Sequence, residues 1–339
     1  MKLADVHING IGTVIPERVD TDYAVAQGWY NAAARRKDML VSIAVAGTTP
    51  APELAITAAR AALKQSEAAD TVGLLLHSYN HPQGPDGWSV QHYINLHTVD
   101  RPITAAVVNN GCLGVLSAMT LAATWLRSRP SAESVLLTSA DNVGTPAVDR
   151  WRTSDLYVLA DAGGSLVLSR RPGIATVLSI ASVSDPSLEL IHRGGEPLFP
   201  PSITVGGTLN FEERLEYLRE KWRTGEMTPI GDFGAVVEGA CRAALADAGI
   251  TMDEVTRVAH VGFSYQPLHD VYLDPLGIDD DRAIWEFTRN VGHAGPVDPI
   301  LGLDYLIGSG AVHNGDIVAI VSGAPGMEAA CAIVRITDA

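Results

Sequence analysis

The chain repeats itself. Ala59-Arg-Ala-Ala-Leu63 returns as Cys241-Arg-Ala-Ala-Leu245, and each run is followed by an apolar strand, 72–77 in the first case and 257–263 in the second. Further on, an apolar helix after Cys112 leads to the strand ending at Ser139, and an apolar helix after His293 leads to the strand ending at Ser322. The final strands of each unit, 165–169 and 331–335, correspond as well. Repetition on this scale restricts the fold more than composition does, because two like αβ units bury their matching faces against each other about a pseudo-twofold axis. Residues 1–172 and 173–339 are therefore read as N- and C-terminal halves. Residues 185–230, irregular and polar with a charged helix over 211–223, read as an insertion that forms a lid or faces an acceptor.

Corresponding places in the two halves carry reactive side chains. Cys112 lies in Val107-Val-Asn-Asn-Gly-Cys-Leu-Gly-Val115, where a strand runs through a small-residue turn into a helix that is apolar almost all round. A thiol at the start of a helix sits at the positive end of its dipole, which favours the nucleophilic thiolate. His293 stands just ahead of the matching helix, so a pseudo-twofold axis brings Cys112 and His293 face to face. Asp298 follows His293 by five positions across a Gly-Pro turn. It is placed either to fix the imidazole tautomer or to cap the helix opened by Pro299, and the two roles can coexist. Proximity to a helix N-terminus predicts a neutral, basic His293. The backbone N–H of Cys112 and that of Gly326, in the loop Gly323-Ala-Pro-Gly326, are the candidate oxyanion-hole donors.

Composition limits the partners. The 339 residues carry a net charge of −15, which argues against nucleic acid or an anionic membrane surface as a partner. No run approaches the roughly 20 apolar residues of a membrane span, and the first residues read as a strand rather than a signal peptide. Cys112, Cys241 and Cys331 match no metal or disulfide framework, which points to a reducing cytoplasm. The histidines at 77, 81, 92 and 97 lack the spacing of a metal-ligand pair.

With these residues in place, the sequence resembles the thiolase superfamily, close to ketoacyl-ACP synthase III, over nearly its whole length. The resemblance rests on Gly111-Cys-Leu-Gly114, on Ala160-Asp-Ala-Gly-Gly-Ser165, and on Gly323-Ala-Pro-Gly326. It implies an α/β, five-layer αβαβα fold with two pseudo-twofold related halves. It further implies a homodimer and acylation of the cysteine by an acyl-CoA or acyl-carrier thioester as donor substrate, with no bound cofactor and no metal. By position, Trp29, Arg35, Arg36 and Arg152 fall roughly where the family holds the CoA nucleotide.

The departures from the family are informative. Condensing members use a Cys-His-Asn triad, with the histidine in a His-Gln-Ala-Asn segment. Here the segment reads Ala259-His-Val-Gly-Phe-Ser264, the ungapped match to that histidine falls around Gly262, and Gly292-His293 takes the place of the asparagine. His260 is left as an open substitute. Cys112, His293 and Asp298 instead resemble superfamily acyltransferases of natural-product pathways. Those enzymes pass an acyl group to a sugar or cyclitol hydroxyl, an amine or another carrier without forming a carbon–carbon bond. The competing reading is a decarboxylative, Claisen-condensing enzyme that primes a polyketide.

Overall fold

A computed structural model describes residues 1–129, 133–144, 146–226, 233–324 and 328–338. The N-terminal half contributes β1 (Lys2–Val14), a small ribbon of β2 (Arg18–Asp20) and β3 (Ser42–Ala44), then β4 (Val72–Ser78), β5 (Thr104–Val107), β6 (Ser134–Asp141) and β7 (Ala162–Ser169). The C-terminal half contributes β8 (Ala175–Ser184), β9 (Arg257–Ala259), β10 (Ile317–Ala324) and β11 (Glu328–Ile336). Nine strands join in the order β5-β4-β6-β7-β1-β8-β11-β10-β9. Outward from the β1–β8 pair, each side meets its own half's last strand next and then the one before it. The pairs β4–β5, β4–β6 and β9–β10 are parallel, and the remaining neighbours are antiparallel.

Helices sit between and outside the two strand sets. Gly114–Arg127 and Asp298–Gly308 touch strands of both halves. Leu116, Met119 and Leu126 of the first share one apolar cluster with Ile300, Leu303 and Leu306 of the second. Both helices are apolar nearly all round because they have strands on either side, as a central layer requires. Ala51–Gln65 covers β1, β6 and β7 from outside, and Phe233–Ala248 covers β8 and β11 in the corresponding way. The alternation of helix, strands, helices, strands, helix gives the five layers.

Residues 20–37 form two short helices, Thr21–Ala26 and Ala32–Asp38, separated at Gly28, whose φ of +73° ends the first helical run. The strand expected over 257–263 pairs only as far as Ala259, because beyond it the Gly262 N–H turns to the Asp298 carboxylate instead of a neighbouring strand. Residues 157–160 run extended beside His293, with the Ala160 N–H on the His293 carbonyl and the His293 N–H on the Val158 carbonyl.

The chain turn that leads into β7 is held by a buried ion pair. Arg150 donates to both oxygens of Asp161 at 3.0 and 2.9 Å, and the Asp161 carboxylate also accepts the N–H groups of Ala46 and Val143. Asp161 is fully buried, so removing it strands a guanidinium away from water. Asp161→Ala is expected to lower the unfolding free energy by about 3–5 kcal/mol in urea denaturation. A loss below about 1 kcal/mol would mean that the pair does not anchor this turn.

Candidate active site

Cys112 stands in a turn rather than at the first residue of a helix. The helix begins at Gly114. The preceding turn is closed by Leu113 N–H to the Asn110 carbonyl and by Gly114 N–H to the Gly111 carbonyl. Gly111 adopts φ +54°, the left-handed conformation that lets the chain reverse at this point. The hydroxyl of Ser322, buried in β10, donates to the Cys112 carbonyl at 3.1 Å and so ties the turn to the C-terminal half. Cys112 is 7 % exposed, and that small opening faces a cavity of about 450 Å³ lined by Asn80, His81, Tyr157, His192, Phe211 and Arg214 among others.

Across the interface between the halves, His293 Nε2 lies 3.1 Å from Cys112 Sγ, and Nδ1 lies 2.6 Å from Asp298 Oδ2. The histidine is fully buried, with the rings of Tyr157 and Phe263 against it at 4.6 and 5.3 Å between centroids. Asp298 Oδ2 also accepts the Gly262 N–H at 2.8 Å, and Oδ1 accepts the Ala294 N–H at 2.9 Å. None of these donors belongs to the first turn of the helix that follows, so the Asp298 side chain faces back to His293 and does not cap that helix. Gly262 must be glycine for the histidine to sit here. A Cβ at that position would lie 2.1 Å from the Gly292 carbonyl oxygen and 3.0 Å from the His293 Cα.

The electrostatics differ from the sequence reading, which expects a neutral His293. Burial does pull its imidazolium down. The charges of the Cys112 thiolate and Asp298, with the hydrogen bonds to both, outweigh that pull and raise its pKa to about 10. Beside a Cys112 thiolate, the imidazolium is the favoured form of His293.

His260 is turned elsewhere. Its Nδ1 lies 2.8 Å from the Val261 carbonyl, and its Nε2 lies 3.1 Å from the Ile284 N–H, so one ring nitrogen donates and the other accepts. Burial holds its pKa down at about 4, consistent with that neutral tautomer. Of the four residues placed near a nucleotide, Trp29 and Arg152 line a cleft of about 940 Å³, whereas Arg35 pairs with Asp22 at 2.7 Å and neither Arg35 nor Arg36 lines the cleft. Gly326, one of the two oxyanion-hole candidates, lies outside the described residues. Among the described residues no cluster of histidine, cysteine or carboxylate side chains could hold a metal ion, and no helix is long and apolar enough to cross a membrane. The three cysteines are free thiols.

The sequence reading passes over Asn80 and Ser322. Asn80 follows β4, where the rule that ligands meet α/β sheets beyond the carboxyl ends of parallel strands was the available signal. Ser322 occupies the place in the C-terminal half that Ser139 holds in the other, a match that carries no hint of its contact with Cys112.

Fold and site together define an α/β transferase of the thiolase type, with a cysteine at the interface of two like halves. Family models of 3-oxoacyl-[acyl-carrier-protein] synthase III match residues 108–186, and those of its C-terminal domain match residues 245–336. Over 98% of both chains, the structure superposes on that of ChlB3, described as an acyltransferase, with a TM-score of 0.92 and 36% sequence identity. It is also similar to 3-oxoacyl-[acyl-carrier-protein] synthase III from Aquifex aeolicus VF5, at 18% identity, a TM-score of 0.78, and coverage of 97% of this chain and 99% of that one. A variant of OleA from Xanthomonas campestris, at 15% identity and a TM-score of 0.72 over 99% of both chains, shares the fold. No curated protein matches the sequence. The chain belongs to the ketoacyl-ACP synthase III-like family of thiolase-fold transferases.

The Asp298 carboxylate accepts the Nδ1–H of His293, so Nε2 is the nitrogen that faces Cys112. In Asp298→Asn the amide can present an N–H to Nδ1 and select the opposite tautomer. Acylation of Cys112 by a thioester is expected to slow by about 10²–10⁴-fold, followed by intact-protein mass spectrometry over time. An unchanged rate would remove Asp298 from the chemistry.

Proposed function

We propose that the protein is an acyltransferase that accepts an acyl group from acyl-CoA or an acyl-carrier thioester onto Cys112. It then passes that group to a hydroxyl, amine or carrier acceptor in natural-product biosynthesis, without carbon–carbon condensation. The observation that carries this reading is the chain Cys112–His293–Asp298, at 3.1 and 2.6 Å, in a segment where a glycine stands near the position of the condensing histidine.

In the first half-reaction the Cys112 thiolate attacks the donor thioester carbonyl. The tetrahedral intermediate collapses with loss of the donor thiolate, which takes the proton held on His293 Nε2. Acylation removes the negative charge from Cys112, one of the two charges that keep His293 protonated, so the imidazole becomes free to act as a base. In the second half-reaction Nε2 takes the proton of the acceptor hydroxyl as its oxygen attacks the acyl-enzyme. Asp298 stabilises the imidazolium that forms, and the proton stays on Nε2 as Cys112 leaves as thiolate, which restores the starting pair.

Two further spaces suit two successive substrates. The cleft bearing Trp29 and Arg152 fits the donor nucleotide. A second cavity of about 540 Å³ shares Asn80, His81, His192 and Arg214 with the Cys112 cavity and suits the acceptor. Leu209 borders all three spaces. The insertion thus supplies much of the acceptor side. We further expect a homodimer in the cytoplasm, as the family resemblance implies.

Condensation would need donors that hold an enolate after malonyl decarboxylation. His260 has both ring nitrogens engaged with backbone, which speaks against it in that role. The test is intact-protein mass spectrometry after incubation with a panel of acyl thioesters, malonyl included, beside Cys112→Ala. The expected result is an adduct that retains the whole malonyl group and vanishes in the variant. Loss of carbon dioxide from the bound malonyl group would favour the condensing enzyme.

A further inference from the structure

Cys112 Sγ has a second polar neighbour besides His293. The side-chain amide of Asn80 donates to it from Nδ2 at 3.7 Å, within the range of an N–H···S contact. Asn80 belongs to the N-terminal half, two residues beyond the end of β4, and lines both the Cys112 cavity and the adjoining one. Three features hold it there. Its own backbone N–H meets both carboxyl oxygens of Asp141 at 3.0 Å each, and the N–H of His81 meets Oδ1 at 2.9 Å. Asp141 is buried at the end of β6, and burial pushes its carboxyl up to about 8 even with these donors on it. A buried acid holding two consecutive backbone N–H groups fixes the course of the loop at Asn80. On the far side the turn after His293 presents Gly295, where a Cβ would lie 2.8 Å from Asn80 Nδ2. The bare Cα of Gly295, at φ +59°, leaves the space that the amide fills.

We propose that Asn80 is a further catalytic residue, whose side-chain amide donates to the Cys112 sulfur and holds it in the thiolate form, with Asp141 as the positioning residue behind it. This rests on the reading of Cys112 as the nucleophile. On deprotonation the proton leaves the thiol for His293 Nε2, and the sulfur is left between two donors, the imidazolium on one side and the amide on the other. An amide is suited to this place because it supplies a donor without a proton that can be lost at working pH. It does not compete with His293 for the proton, and it persists through the cycle in which His293 changes charge. Each time the leaving thiolate is regenerated, the same donor receives it.

The charged and titratable groups around the sulfur are His293 and, behind it, Asp298, with Tyr157 and Tyr272 also within electrostatic range of Cys112, Asp141 within range of His293, and His81, His192 and Arg214 lining the same cavity. The pH profile of Cys112 reports on all of them together, so the inference is read from the difference between wild type and variant. The experiment measures the rate of iodoacetamide alkylation at Cys112 against pH, with peptide mapping to separate it from Cys241 and Cys331, and Cys112→Ala as background. In Asn80→Ala the midpoint is expected to move upward by about one pH unit, with alkylation at neutral pH about tenfold slower. Asn80→Asp keeps the shape but replaces the donor with a carboxyl group; it should move the midpoint at least as far, and it carries the test where the alanine variant does not fold. Asp141→Asn should produce a smaller move in the same direction. Profiles of Asn80→Ala or Asn80→Asp that superimpose on wild type overturn the role of Asn80 while leaving Cys112 as nucleophile. A wild-type Cys112 no more reactive than a free thiol overturns both.

Discussion

The Asp298 carboxylate has no unused oxygen. One oxygen takes the imidazole Nδ1–H of His293 and the N–H of Gly262, and the other takes the N–H of Ala294. These contacts gather the end of the strand segment 257–263, the turn 292–295 and the start of a central helix around a single buried charge. A buried carboxylate is tolerated only where such donors surround it, so the local backbone has little freedom to rearrange. The direction of the His293 ring, and with it the distance to the sulfur, follows from that constraint. The other half supplies the thiol from an equally fixed turn, which Ser322 ties across the interface through the Cys112 carbonyl. Any sliding of one half against the other breaks the contact between Cys112 and His293 and the hydrogen bond of Ser322 together.

In the proposed mechanism one imidazole serves two half-reactions with opposite needs. With a thiolate present, two negative charges flank His293 and outweigh its burial, so the imidazolium is favoured. Acylation removes one of those charges, and burial, the opposing influence throughout, then counts for more. The acceptor meets a weaker acid and a more available base without any movement of the protein. In this account the cycling of charge on sulfur sets the protonation state of the histidine, and Asn80 and Asp298 are the fixed partners at either end.

Much of this was legible in the chain. The repeat predicts that Cys112 and His293 meet, because each stands just ahead of one of the two central helices that pack against each other. Asp298 was readable from its spacing, although capping and orienting could not be separated until its partners were seen. The charge on His293 was misjudged because the sequence argument weighed a helix dipole, whereas a carboxylate and a thiolate in direct contact are stronger and closer. Arg35 and Arg36 are grouped with Trp29 by nearness in sequence, yet the helix that carries them pairs Arg35 with Asp22, and it is Arg152, far along the chain, that shares a cleft with Trp29. The contact of Asn80 with the sulfur depends on three loops meeting, through Asp141, Gly295 and Cys112, and no local pattern records it.

The central claim is that the charge on Cys112 controls the protonation of His293. It is tested most directly by following the imidazole nitrogens by NMR in protein labelled at histidine, before and after Cys112 is converted to a neutral thioether. His293 in the free enzyme is expected to stay protonated well above neutrality, to about pH 10, and capping the sulfur is expected to move its titration downward. A His293 that is already neutral at pH 7 in the free enzyme, or one whose titration is unmoved by capping, would contradict it.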